Sequence, residues 1–541
     1  MTQSATQAVT IDPKKPVALI SCYDKAGLDA LAPVLVNTYG YQLLSTGGTA
    51  DYLRSLGLAV VETTELTGFR DLAGGRVKSL HPTLFAGILD PRDGSAAPET
   101  RPDFWIDLVI SNLYPFEAMK NQGAQLQGKQ NLIEYIDVGG PSLLRAGAKN
   151  HAYVTVLCQP SQYTAFLQEL KLGEGKTSLS YRKHLAGKVF ALTAAYDAAI
   201  ANVFNVPSPE ISTEENTSAL PATLPLTLHQ CQPLRYGENP QQPAGLYTLN
   251  STNTTDTGFE LLQGKALSYN NLLDAFAAWN LIKEFDPETP ACAIIKHNNP
   301  CGVSVANTLA DAWERALSVD SLSAFGGIVA FNQPITADVA KGLTALFLEV
   351  IIAPSVTEEA LAIFNTKPNL RVVSREWEAP LAQWDIRVLD AERVLVQRST
   401  LETGEMEAGD DESLHWQVVT TAEPTPQQWE DLDLAWKVAK HVKSNAMVLA
   451  KNGKTVGLGV GQTSRIGALE IALRQACDEA KGAVLASDGF IPALDNVHAA
   501  IQGCVAAIVQ PGGSVKDPDV IALANTHDLA MVTTGVRVFR H

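Results

Sequence analysis

The chain has 541 residues, 46 % of them hydrophobic and 18 % charged, an ordinary balance for a well-packed soluble enzyme of two to four domains. A formal net charge of −17 excludes bulk attraction to nucleic acid or to an anionic membrane, so an anionic small substrate has to be met by local basic pockets. Seven scattered cysteines, Cys22, Cys158, Cys231, Cys292, Cys301, Cys477 and Cys504, include no C-x-x-C pair. That argues against a disulfide framework and a cysteine-rich zinc site, and for a reducing, cytoplasmic compartment. Met1 to Lys15 is polar and lacks the apolar stretch of a secretory signal, and no run of about 18 apolar residues offers a membrane span.

Residues 1–16 read as a tail and 17–205 as a first domain. Val17–Ser21 is a short apolar strand, Gly27–Asn37 has helical spacing, and Tyr41–Leu44 is a second strand ending at Ser45-Thr46-Gly47-Gly48-Thr49. A helix over Ala50–Leu56 and a strand over Ala59–Val61 follow. Leu108–Ile110 and Val154–Leu157 repeat the buried-strand pattern, and an alanine-rich helix over about Leu185–Val203 closes the region. Strands alternating with helices imply an α/β domain, a mainly parallel sheet covered on both faces. Val206–Leu228 loses periodicity to Pro, Ser, Thr and Glu and reads as a linker. From 229 to 541 helices again mix with short apolar strands, among them Ala293–Ile295, Gly327–Phe331, Ala446–Ala450 and Val505–Val509. This region is large enough for two subdomains, shows no clean internal sequence repeat, and carries an acidic low-complexity segment, Thr400–Glu412.

Ser45–Thr49 lies between a strand and a helix, where glycines let the backbone approach a ligand and a helix N-terminus offers unpaired N–H groups to an anion. The hydroxyls of Ser45 and Thr49 add donors; the plain alternative is a tight turn with Thr49 as helix N-cap. Ser21 and Lys25 sit at the end of the first strand, where open α/β sheets bind ligands. Three further segments are dense in functional groups. Gly74-Gly75-Arg76-Val77-Lys78-Ser79-Leu80-His81-Pro82 packs two cations and a histidine behind two glycines. Asn112-Leu113-Tyr114-Pro115-Phe116 follows a buried strand. Ile136-Asp137-Val138-Gly139-Gly140-Pro141 leads to Arg145 and to Ala148-Lys149-Asn150-His151. Lysines, a tyrosine and an aspartate at sheet ends are what a proton-transfer site needs.

Taken in order, these segments resemble the cyclohydrolase half of the bifunctional AICAR transformylase/IMP cyclohydrolase family of purine biosynthesis, over most of 17–205. The resemblance implies a methylglyoxal-synthase-like fold for this half. It implies that Ser21, Lys25, Ser45, Gly48, Thr49, Arg76 and Ser79 hold the phosphate and ribose, with Asn112, Val138 and Gly139 also at the substrate. It places Lys78, Tyr114, Asp137 and Lys149 around the reacting groups. Which of them is acid and which is base does not follow from sequence.

The second region opens with Leu234-Arg235-Tyr236-Gly237-Glu238-Asn239-Pro240, a planar cation beside a stacking ring, suited to a phosphorylated heterocycle. Ile294-Ile295-Lys296-His297-Asn298-Asn299-Pro300-Cys301-Gly302 follows a buried strand, and its adjacent Lys and His form a candidate acid/base pair. A zinc deaminase would need H-x-E and then P-C-x-x-C. The chain has Asn299 where the Glu belongs and Ser304 where the second Cys belongs, so zinc chemistry is rejected. Ser323–Gly327, Glu349–Pro354, Lys443–Ala446, Gly461–Arg465 and Arg537–His541 resemble the transformylase half of the same family, across about 229–541. That half has two cytidine-deaminase-like subdomains without zinc. The resemblance implies that Lys296 and His297 carry formyl transfer from 10-formyltetrahydrofolate. Arg235, Tyr236, Phe325, Gly326, Glu349, Asn445, Arg465 and Arg537 would contact the nucleotide, and Asn445, Phe490 and Asn496 the folate. The family also implies a homodimer, and potassium accompanies some members.

The chain departs from the family pattern in three places. Gln241 stands where N-P-H-Q has its His, and Leu192 stands where F-x-H-T has its own. In Ser487–Asp495, Ile491 and Ala493 replace two aromatic residues near the folate. The expectation is intact cyclohydrolase and a transformylase with altered folate affinity. Two alternatives remain at this point: a cyclohydrolase whose second half has lost folate chemistry, and a non-catalytic effector-binding module.

Overall fold

The computed structural model describes residues 11–69, 77, 79–95, 97–123, 131–204, 220–250, 255, 257–378, 384–399 and 416–541. Arg76, Lys78, most of the expected linker and the acidic segment Thr400–Glu412 lie outside the described residues. The chain divides into two compact units, Met1–His229 with Tyr247–Thr254, and Gln230–Leu246 with Thr255–His541.

In the first unit β1 (Val17–Cys22), β2 (Gln42–Ser45), β3 (Val60–Glu62), β4 (Leu108–Asn112) and β5 (Thr155–Leu157) form a five-stranded sheet in the order β3-β2-β1-β4-β5, parallel throughout. Alternate strand residues feed two cores. Val17, Leu19, Leu44, Val109 and Val156 face one side, with α4 (Pro82–Leu89), α6 (Gly139–Lys149) and α8 (Leu179–Phe204). Ala18, Ile20, Leu43, Leu108 and Leu157 face the other, with α1 (Leu28–Asn37), α2 (Gly47–Ser55) and α7 (Tyr163–Leu172). The short α3 (Thr63–Thr67) and α5 (Phe116–Asn121) complete the unit. This is the expected α/β sheet buried on both faces. Two boundaries differ from expectation. α2 starts at Gly47 with Thr46, not Thr49, at its N-cap. α8 starts at Leu179 rather than near Leu185, because its first turns are solvent-facing and carry no apolar stripe. Gly147 lets α6 lie close on the sheet, since a Cβ there would press on Val156 Cγ2 at 2.6 Å.

β6 (Leu228–Leu234) and β7 (Ala244–Leu249) form a two-stranded sheet of their own. The second unit contains one structural pattern twice. Its first copy runs β8 (Glu260–Gln263), α9 (Tyr269–Ile282), β9 (Ala291–Lys296), β10 (Asn299–Val305), α10 (Leu309–Leu317), β11 (Ile328–Phe331), α11 (Ala337–Leu343), β12 (Val350–Ala353), α12 (Glu358–Phe364) and β13 (Arg371–Ser374). A separate ribbon, β14 (Trp384–Val388) with β15 (Val394–Arg398), follows. The second copy runs β16 (Gln417–Val418), α13 (Pro426–Ala439), β17 (Met447–Lys451), β18 (Lys454–Gly459), α14 (Arg465–Ala476), β19 (Val484–Ser487), α15 (Leu494–Gln502), β20 (Ala507–Gln510), α16 (Asp517–Thr526) and β21 (Ala530–Thr533).

Pairing repeats as well. β9 runs antiparallel to β10 and β11, with β11, β12 and β13 parallel; β17 runs antiparallel to β18 and β19, with β19, β20 and β21 parallel. β10 pairs with β18, so the copies share one 12-stranded sheet. α9 and α13 cover one face over a common core, while α10–α12 and α14–α16 cover the other over separate cores. Gly302 in β10 and Gly457 in β18 recur at one structural position. In each, a Cβ would run into a backbone carbonyl of the following helix, at Ala316 or Ala472. The duplication was not legible as a sequence repeat because the copies share geometry at such positions rather than residue strings.

Candidate active sites

The strand order of the first unit reverses between β1 and β4, which opens a crevice beyond their carboxyl ends. There the structure forms a cleft of about 950 Å³, within the usual size of small-molecule sites. Ser21, Lys25, Gly48, Thr49, Ser79, Asn112, Tyr114, Asp137, Val138 and Gly139 all line it. The first turns of α2 and α6 therefore open onto one cleft, bringing main-chain N–H groups and the positive ends of two helix dipoles to the same volume.

Local bonds explain the arrangement. Asn112 accepts from Asp24 N at 2.9 Å and donates to Asp24 O at 2.7 Å, holding the loop that carries Lys25. Asp137 Oδ1 accepts from Gly140 N at 2.9 Å, which caps the start of α6. Asp137 N donates to Tyr196 Oη at 2.9 Å, and that hydroxyl donates to Tyr135 O at 2.6 Å, so a tyrosine of α8 fixes the Asp137 loop. Tyr114 packs edge-on to Tyr23, with ring centroids 5.4 Å apart. Burial, then the Asp137 carboxylate, raises its pKa above that of an ordinary phenol, so at neutral pH it is a protonated donor.

Ser45, Thr49 and Lys149 are each expected at the substrate, and their positions differ. Ser45 Oγ donates to Ile20 O at 2.7 Å, and the Thr49 hydroxyl donates to Cys22 O at 2.9 Å while accepting Cys22 N at 3.1 Å. Both hydroxyls are buried and tie β2 and α2 to β1, and Thr49 also lines the cleft. Lys149 does not line the cleft. It ends the 11-residue α6, about 15 Å of helix from Gly139 at 1.5 Å rise per residue. Thr46, which sequence reasoning passed over, does line the cleft and shares a 3.0 Å hydroxyl contact with Ser21.

In the second unit Lys296 ends β9, and its Nζ donates to Phe325 O. Gly326 lies beneath it in a left-handed conformation (φ 69°), where a Cβ would stand 3.2 Å from Lys296 Nζ. Phe325 is 57 % exposed and meets Phe347 at 5.2 Å between ring centroids. His297 is exposed and occupies the reverse turn after β9 (φ 53°). Lys296 borders a cleft of about 470 Å³ with Asn299, Cys301, Asp320, Ser323 and Arg474. Glu349 is tied to Arg371 at 2.7 Å.

A second cluster gathers Asn445, Arg465, Asp488 and the C-terminal segment. Arg465 is 8 % exposed; it pairs with Asp488 and donates to Ser487 Oγ at 2.8 Å and to Asn445 Oδ1 at 2.8 Å. Its guanidinium is thus committed to holding Asn445 in place. Phe539 receives Arg537 at 4.6 Å and Arg465 at 5.7 Å, while Arg235 stacks on its own neighbour Tyr236 at 5.6 Å. A cleft of about 680 Å³ lies beside these residues, bordered by Asn298, Lys443, Phe539, Arg540 and His541.

Phe490 is 40 % exposed, as a ligand contact requires. Asn496 is 2 % exposed and its amide nitrogen donates to Asp495, so it faces inward. Ile491 is fully buried in the core of the second copy with Val497, Ile508 and Met531. Its departure from an aromatic residue is a change of core packing, whereas Ala493 is exposed.

Comparison with known proteins bears on both units. A family model described as AICARFT/IMPCHase bienzyme matches residues 147–475, and one described as MGS-like domain matches residues 30–142. "Bifunctional purine biosynthesis protein PurH" of Rippkaea orientalis (strain PCC 8801 / RF-1) is 47 % identical over 534 residues, covering 97 % of this chain and 99 % of the relative. The protein of that name from Gloeothece citriformis (strain PCC 7424) is 46 % identical over 536 residues, with 97 % and 99 % covered. The one from Rhizobium etli (strain CIAT 652) is 44 % identical over 538 residues, with 97 % of each covered. A solved structure titled "Crystal structure of ForH" matches with a TM-score of 0.31 and 33 % identity, over 35 % of this chain and 96 % of that one.

Proposed function

The chain belongs to the PurH family of AICARFT/IMPCHase bienzymes, and from that premise we infer how its residues divide the work between the two units. It is a bifunctional enzyme of purine biosynthesis. It transfers a formyl group from 10-formyltetrahydrofolate to the 5-amino group of aminoimidazolecarboxamide ribotide (AICAR). It then closes the formylated nucleotide to inosine monophosphate with loss of water.

We assign ring closure to the first unit, and the observation that carries this is the shared cleft beneath α2 and α6 with Tyr114 and Asp137 at its wall. The phosphate would rest on the main-chain N–H groups of Thr46–Thr49, with Lys25 beside them. As the carboxamide nitrogen attacks the formyl carbon, negative charge grows on the formyl oxygen. In this reading the α6 N-terminus at Val138–Gly139 and the Tyr114 hydroxyl take that charge, and Asp137 accepts the proton from nitrogen. Arg76 and Lys78 join this set by family motif.

We assign formyl transfer to the second unit. The amine attacks the formyl carbon, His297 accepts the amine proton, and Lys296 protonates the folate nitrogen as the C–N bond breaks, releasing tetrahydrofolate. Asn445, held by Arg465, orients the amine and carboxamide; Arg235, Tyr236 and Arg537 supply phosphate and stacking contacts; Phe325, Gly326 and Glu349 border the nucleotide; Phe490 borders the folate. Among the described residues no group of three or more His, Cys, Asp or Glu side chains is placed to hold a metal ion. No helix among the described residues is long and apolar enough to cross a membrane. We read the enzyme as a cytoplasmic homodimer acting on small molecules.

The test follows formylated nucleotide and inosine monophosphate separately. Inosine monophosphate is expected both from AICAR with 10-formyltetrahydrofolate and from the formylated nucleotide alone. Product only from the latter would leave the second unit without its assigned step.

A further inference from the structure

The two copies in the second unit place the same device at the same turn. β9 and β10 are joined by His297-Asn298, both in the left-handed region (φ 53° and 61°), and β17 and β18 by Asn452-Gly453 (φ 52° and 74°). Two positive φ angles are what a tight two-residue hairpin requires. Asn and Gly adopt them readily, whereas a histidine there costs about 1 kcal/mol or more. In each copy an aspartate grips the turn from the preceding helix, five residues after the helix start (274 − 269 and 431 − 426). Asn298 N donates to Asp274 Oδ1 at 2.7 Å; Asn452 N and Gly453 N donate to Asp431 Oδ2 and Oδ1 at 2.8 and 2.6 Å. The Asn298 side-chain amide, oriented to satisfy its neighbours, donates to Asp274 Oδ1 at 3.2 Å and to Leu273 O at 3.1 Å.

The same brace serves different ends. Asp431 is 3 % exposed and holds a turn without acid/base side chains. Asp274 is half-buried and stands among Lys296, His297 and the Cys301 thiol. We infer that Asp274 is the positioning residue of the transformylase site: through the Asn298 N–H it holds His297 in a left-handed turn beside Lys296. This rests on the role given to His297 above. Burial raises the Asp274 pKa, against the Asn298 N–H, His297 and Lys296, which favour its charged form.

The test pairs the two aspartates. Asp274→Ala is expected to lower transformylase kcat about 10-fold or more with little change in nucleotide KM, because a loosened turn misplaces the imidazole. Asp431→Ala is expected to keep kcat within about twofold while lowering the melting temperature. Asp274→Asn keeps an acceptor for Asn298 N–H and restores most of kcat. Full kcat in Asp274→Ala, or equal losses in the two alanine variants, overturns the inference. If Asp274→Ala does not fold, Asp274→Ser stands in for it, and full kcat in that variant overturns the inference. His297→Ala is measured alongside. Full transformylase activity there sinks the role of His297 itself, whereas an inactive His297→Ala beside an unimpaired Asp274→Ala sinks the brace alone.

Discussion

The two units build their sites from opposite materials. The first opens its cleft at the carboxyl ends of parallel strands and adds to side chains such as Lys25, Tyr114 and Asp137 the helix starts at Gly48, Val138 and Gly139. The second sets Lys296 and His297 at the reverse turn of an antiparallel hairpin and props them with Phe325 O, Gly326 and Asp274. A backbone site depends on conformation and clearance, so its weak points are glycines. A side-chain site depends on a few functional groups, so its weak points are those groups themselves.

The largest expected effect follows from that contrast. Lys296→Ala and His297→Ala should each lower transformylase kcat by about 10²–10⁴-fold, the usual contribution of a positioned acid or base. Ring closure of supplied formylated nucleotide should be unchanged in both. A parallel fall in ring closure would break the division of labour between the units.

The mirror experiment in the first unit targets clearance. A Cβ on Gly140 would collide with Asp137 Oδ2 and stand 3.2 Å from Leu113 Cδ2. Gly140→Ala therefore displaces the carboxylate that caps α6, and ring closure should fall by about 10²-fold with formyl transfer intact. Thr46→Val, which alters only a side chain at the same cleft, should cost far less. A larger loss in Thr46→Val than in Gly140→Ala would show that hydroxyls rather than backbone govern this site.

Legibility in the sequence follows the same line. The parallel strands of the first unit were found within a residue or two, because β1, β2 and β4 carry short apolar runs that are buried. Most of its cleft residues were found as well, because glycine and lysine at strand ends are local signals. The spacing of Lys149 from Asp137 decides nothing in the sequence; the resemblance groups the two, and Lys149 stands at the far end of the 11-residue α6 from Gly139. Hydroxyl direction was not legible either: Ser45 and Thr49 donate to main-chain carbonyls of β1. In the second unit the two subdomains that the resemblance implies leave no sequence repeat, because equivalent positions such as His297-Asn298 and Asn452-Gly453 need positive φ, not identical residues.

The smallest expected effect concerns the folate side of the second unit. Sequence alone treated Ile491 and Ala493 as one loss of aromatic contacts. The structure separates them: Ile491 is sealed in the core and its N–H donates to Gln510 Oε1 at 2.7 Å, while Ala493 is exposed just before α15. Ile491→Phe should overpack that core, costing about 1–3 kcal/mol in thermal or denaturant melting, with folate KM unchanged. Ala493→Phe should leave stability nearly unchanged and lower folate KM by about fivefold, the equivalent of about 1 kcal/mol from one added aromatic contact. A folate KM that responds to Ile491→Phe and not to Ala493→Phe would mean that core packing, rather than an exposed ring, shapes the folate edge of the site. The second unit would then depend on backbone placement as the first does, and the contrast between them would narrow to Lys296 and His297.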